Sequence, residues 1–134
     1  MIKLQDLKVG DIVMVEFEGQ MIDGDVTEIS KGDKKACVLH GEQEFWYDWH
    51  DLHPVPLTEE QLVKLNFEVV DETPGSGNGQ LYVRGPFSLK FLKKNNDTDI
   101  LLTYRDEQRL LHESLYVHQL QNHYKGMTNF ELHR

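Results

Sequence analysis

One cysteine, Cys37, stands among 134 residues. That excludes an internal disulfide and leaves a reducing compartment as the expectation. Its neighbours Ala36 and Val38 are small and apolar, and no Cys-His signature surrounds it, so it reads as a core residue rather than a nucleophile. Cations are scarce as well, with 14 Lys and Arg against 23 Asp and Glu and a net charge of −9. Non-specific nucleic-acid binding draws on Lys and Arg to neutralise phosphates, so that class is disfavoured, as is an anionic membrane surface. The denser basic groups, Lys31/Lys34/Lys35 and Lys90/Lys93/Lys94, fall at predicted turns and leave a local basic face open. No apolar run approaches the length that spans a bilayer, and residues 1–7 lack the apolar core of a signal peptide. A cytoplasmic protein without a membrane partner is the expectation.

Catalytic signatures are missing too. There is no Gly-x-Ser-x-Gly, no His-Glu-x-x-His and no paired-carboxylate pattern. The Gly-rich stretch Thr73–Gly79 is followed by neither a helix signal nor Gly-Lys-Ser/Thr, so it reads as a long hairpin loop and not a phosphate cradle. No cofactor is expected, and an enzyme is the lesser reading.

What is present is a chain of strands with a marked junction. Residues 12–17, 21–30, 36–40 and 43–49 are runs of β-formers separated by Gly-bearing turns. In the fourth run Phe45, Tyr47 and Trp49 alternate with Glu44, Trp46, Asp48 and His50, which places the two sets on opposite faces. Asp51-Leu52-His53 can make one 3₁₀ turn into a short fifth strand flanked by Pro54 and Pro56, and Pro confines that strand to an edge. Next comes Thr58, an N-cap candidate with Gln61 three residues on and Glu59 and Glu60 at the positive end of the dipole. Leu62, Leu65 and Phe67 supply the apolar side of that two-turn helix. Further strands are predicted at 68–72, 80–84, 86–92, 99–104 and 108–112. A closing helix is predicted over Ser114–Lys125, with Val117, Leu120, Tyr124 and Met127 at core spacing.

The pattern predicts an α+β protein, with a small five-stranded SH3-like β-barrel over residues 1–57. An antiparallel strand region with two short helices follows over 58–134, either as a second domain or as one compact unit with the barrel. The Leu7–Val13 opening, Leu-x-x-Gly-Asp-x-Val, is similar to the first strand of many such barrels.

Three pieces carry a family resemblance: that opening, the Pro54–Phe67 junction with its Pro-Leu-Thr-Glu helix, and Val117-His-Gln-Leu-Gln-Asn122 near the end. Together they resemble a family of small proteins from Bacteroides-type bacteria and their phages or integrated elements. The Asn66-Phe67 pair and the Met127–Leu132 tail depart from that family's pattern. The resemblance implies a phage or mobile-element setting inside a bacterial cell. It brings no activity, so no functional residue is carried over.

Candidate site residues come from the side chains themselves. Trp46, if the other face of its strand fills the barrel, is an exposed indole among Glu44, Asp48 and His50, suited to a basic peptide or partner domain. The alternative is that it packs against the second half of the chain. His118, Gln119, Gln121, Asn122 and His123 give the closing helix an amide- and imidazole-rich side, either solvated or a recognition surface. Asp48, His50, Asp51 and His53 have ligand chemistry suited to zinc or another divalent ion, although they straddle a turn. The leading expectation is therefore a non-catalytic adaptor that binds another protein. A nucleic-acid binder and a divalent-metal enzyme are the alternatives. Partner identity and oligomeric state are left open.

Overall fold

The structure is a computed structural model that describes residues 2–70, 81–94 and 97–133. The Gly-rich stretch Thr73–Gly79 lies outside the described residues. The chain divides into two compact units, residues 1–56 with 116–121, and residues 57–115 with 122–134. The first unit therefore takes back a segment from near the end of the sequence, beyond the expected 1–57.

In the first unit, strands β1 (Ile12–Phe17), β2 (Gln20–Ser30), β3 (Lys35–His40), β4 (Gln43–Asp48) and β5 (His53–Pro54) form one antiparallel sheet in the order β4-β3-β2-β1-β5. The alternation read in the sequence is what builds it. Val13, Val15, Val26, Ala36 and Val38 are buried together with Ile2, Leu7 and Leu52, and Ile22, Ile29 and Tyr47 pack against them. Val26 and Ile29 are an odd number of residues apart, yet both face this core. A register shift between Val26 and Glu28 supplies the extra residue that restores parity. At Gly24 an added Cβ would sit 2.6 Å from the Leu39 carbonyl oxygen, so only glycine allows β3 this close.

The expected barrel does not close. Among the described residues β4 and β5 share no ladder, and β5 pairs with β1 only at Val13↔Pro54 and Met14↔His53. Pro54 has no N–H to extend that pairing, and Pro56 makes only an isolated bridge, to Tyr116. The sheet is open, with two edges.

The second unit carries α1 (Glu59–Lys64), β6 (Glu68–Val70), β7 (Leu81–Arg84), β8 (Phe87–Lys94), β9 (Asp97–Tyr104) and β10 (Glu107–Leu111), the strands forming a simple antiparallel meander. Thr58 caps α1 as its sequence predicts, its hydroxyl accepting the Gln61 N–H at 3.2 Å. The helix stops at Asn66, whose φ of 67° is one that asparagine tolerates. The Asn66 N–H then reaches the Val63 carbonyl and the Phe67 N–H the Leu62 carbonyl, both at 3.0 Å, while Leu62 and Phe67 are both buried. Tyr82, Phe87, Leu89, Ile100 and Leu102 fill the inner face of the meander, with Phe67 edge-on to Phe87.

The closing helix α2 runs Val117–Thr128, three residues later at each end than its sequence predicts. Tyr116 is held extended by its bridge to Pro56, and the Val117 N–H donates to the Val55 carbonyl at 2.9 Å, so Ser114 cannot start a helix. Gln119 caps instead, its side-chain oxygen accepting the Tyr116 N–H at 2.9 Å. Gly126 does not end the helix; Asn129 does, at φ 67°.

Candidate functional site

Trp46 lies on the sheet face opposite the aliphatic core and is 48% exposed. Its cross-strand neighbour on that face is Cys37, which in turn sits opposite Glu28 on β2. Glu44 and Asp48 flank Trp46 along β4, and Asp48 pairs with Lys35 across the ladder. The indole is thus an apolar plate flanked along its strand by Glu44 and Asp48, with Glu28 one strand beyond Cys37 and one lysine at the margin. A π-face in a field of carboxylates attracts cations, and Arg or Lys stacked there gains both contributions. Cys37 is buried, as expected, but on the face opposite the aliphatic core.

Trp49 was expected inside the barrel with Phe45 and Tyr47. The strand ends at Asp48, however, and a 3₁₀ turn over Trp49–Asp51 begins two residues earlier than predicted. The Trp49 N–H donates to the Lys34 carbonyl at 2.9 Å, and its half-buried ring lines a hollow of about 280 Å³ with Lys3, Gln5 and Lys34.

That early turn also decides the metal candidates. It folds Asp48, His50 and Asp51 together, their ligand atoms all within 4.8 Å of one another, with His50 Nε2 3.9 Å from Asp51 Oδ1. His50 and Asp51 are exposed and Asp48 is half-buried. His53 is not part of this group, because it belongs to β5, opposite Met14. It lines instead a second hollow of about 380 Å³ with Glu16, Glu18, Gly19, Tyr47 and Asp51. Tyr47 is fixed there by a 2.8 Å hydrogen bond between its hydroxyl and His40 Nε2, and burial pushes its phenol up from the ordinary range. This carboxylate-lined hollow could not be read from the sequence. It joins the β1–β2 turn to the 3₁₀ turn, and only the β1–β5 pairing makes them neighbours.

Two residues of the polar side of α2, His118 and Gln121, are not at the surface expected of them. Gln121 is buried, and its amide is bidentate toward the main chain of the Gly10–Ile12 turn. Its oxygen accepts the Ile12 N–H and its nitrogen donates to the Gly10 carbonyl, both at 2.8 Å. His118 is 5% exposed, and its ring stacks with Tyr116. Its Nδ1 finds no hydrogen-bond partner among the described residues. Burial lowers its pKa, with Asp6 pulling the other way. Gln119 is the cap described above. Asn122 is half-buried. His123, also half-buried, accepts at Nδ1 from Arg109 Nη1 at 3.0 Å, and burial followed by the Arg109 charge lowers its pKa. Amide and imidazole groups were read as surface because nothing local shows that a turn over 100 residues away needs them.

Among the described residues no helix is long and apolar enough to cross a membrane. Comparison with protein-family models, with curated proteins and with solved structures returns no match.

Proposed function

We propose that this chain is a non-catalytic binding protein whose first unit docks a basic segment of another protein. The observation that carries the reading is Trp46, a half-exposed indole between Glu44 and Asp48 on the outer face of the sheet, with Glu28 two strands away on the same face. Large aromatic side chains in such settings dominate recognition energy, and the carboxylates select a Lys- or Arg-bearing partner. The carboxylate-lined hollow at Glu16, Glu18 and Asp51 adds a second place of the same sign. The strand order, with a 3₁₀ turn before β5, supports an SH3-like reading of this unit. A phage or mobile-element setting rests on the family resemblance alone.

The test is binding of Arg-bearing peptides to the full chain, read by fluorescence anisotropy. Trp46→Ala is expected to weaken capture about tenfold or more, in the range of an aromatic anchor. Undiminished capture by that variant removes this face from consideration.

A divalent-metal site is the second reading, favoured by the convergence of Asp48, His50 and Asp51. Metal analysis of the purified chain, followed by an activity survey with and without EDTA, decides it. A nucleic-acid reading rests on Lys3 and Lys34 beside Trp49, and absence of a gel shift at low salt ends it.

A further inference from the structure

Arg84 sits where an apolar residue is expected. It ends β7 directly opposite Phe87, on the same face of the meander as Tyr82, Leu89 and Leu102, which are all buried. Its guanidinium carbon lies 5.7 Å from the centre of the Tyr124 ring. Nη1 is buried and donates to no acceptor, and among the described residues no carboxylate pairs with it. Arg109 offers an internal control. It occupies the same face, opposite Leu102, yet is held by Glu107 at 3.2 Å and by His123 at 3.0 Å. Arg109 has a carboxylate and an imidazole partner, whereas half-buried Arg84 keeps one desolvated N–H without an acceptor, a cost that an anion would relieve.

The space beside Arg84 has the matching shape. A hollow of about 250 Å³ is walled by Phe87, Tyr104, Tyr124, Thr128 and Phe130 and contains no carboxylate. Thr128 Oγ1 is already engaged, donating to the Tyr124 carbonyl at 2.8 Å and accepting from the Phe130 N–H at 3.0 Å. Phe130 is 69% exposed and forms an aromatic wall of this hollow. Rings on several sides select a flat apolar group. The volume lies below the range of about 300–1,000 Å³ that holds drug-sized ligands, so one ring with its substituent is the size that fits.

We propose that this hollow binds a small aromatic carboxylate, its ring against Tyr104, Tyr124 and Phe130 and its carboxylate on the Arg84 guanidinium. A turn of the guanidinium brings Nη1 to the cavity side, where the ligand supplies the acceptor it lacks. The site lies in the second unit and is independent of the Trp46 reading.

The experiment is titration of the full chain with benzoate, followed by ¹H–¹⁵N amide shifts. Saturable shifts centred on Gly85, Phe87, Tyr124 and Phe130 are expected. Benzyl alcohol, which keeps the ring without the charge, and acetate, which keeps the charge without the ring, should each bind about tenfold more weakly. Equal binding of either overturns the proposal, as does absence of saturable shifts with benzoate. Arg84→Met should lose about tenfold in benzoate affinity while retaining its dispersed spectrum. Because that variant can also disturb packing, Phe130→Ala, at an exposed position, provides an independent loss. Full benzoate affinity in both variants sinks the idea. A short peptide ending in a phenylalanine carboxylate that binds more tightly than benzoate would overturn the assignment to a free small acid.

Discussion

The two sheets of this protein each have five antiparallel strands, but they are filled by different means. The first is packed with small aliphatic side chains, Val13, Val15, Val26, Ala36 and Val38, and allows close strand approach at Gly24. The second is packed with large ones, Phe67, Tyr82, Phe87 and Leu89, and carries two arginines on its inner face. The outer face of the first sheet displays Trp46 with Glu44 and Asp48, and its register shifts once, between Val26 and Glu28. In the second unit a hollow lies against this ring-bearing face, lined by Phe87, Tyr104, Tyr124 and Phe130 beside Arg84. The hollows of the first unit lie at its turns and are lined by charged side chains, whereas that of the second lies against rings.

The largest effect should come from the aromatic side. Phe87 is fully buried and touches both Phe67 and Tyr124, so Phe87→Ala is expected to cost about 3–5 kcal/mol in urea unfolding. A cost below that range would mean the second core is loosely packed and the contrast between the sheets is overstated. In the first unit the sensitive point is a single amide. Gln121→Leu keeps the volume but strands the Ile12 N–H and the Gly10 carbonyl, for a loss of about 1–3 kcal/mol. Hydrogen exchange should quicken first at Ile12; uniform quickening across both sheets argues that the amide is no local clamp. The smallest change is stabilising. At Gly126 a Cβ would meet the Arg109 guanidinium at an ordinary 3.6 Å, so Gly126→Ala should add about 0.5–1 kcal/mol through helix propensity. A lowered melting temperature in that variant would show that Arg109 needs more room than the contact suggests.

Much of the strand set was legible because period-two alternation survives wherever one face is buried, as in Phe87-Ser-Leu-Lys-Phe91. The Thr58 cap and the Leu62/Leu65/Phe67 side of α1 were legible for the same reason: their partners lie within a few residues. Four things were not. Closure of the first sheet depended on how far β5 could pair, and Pro54 limits that to two residue pairs. The start of α2 was set by Pro56 and Val55, some sixty residues earlier in the chain, against a good local cap at Ser114. Of the candidate site, Trp46 was found with its exposed setting left open between two readings, whereas His118 and Gln121 were misplaced on the surface. Arg84 was passed over, since an arginine before Gly-Pro looks like any turn residue until its strand partner is known.

Gln121 has a consequence in time. Its amide meets groups 109 and 111 positions away in the sequence. During synthesis at about 5–20 residues per second, the Gly10–Ile12 turn therefore waits roughly 5 to 20 seconds after emerging before its clamp exists. Once His53 and Pro54 have emerged, the first sheet has its strands but stays open at the place where β1 begins, until a residue more than 100 positions later arrives to lock it.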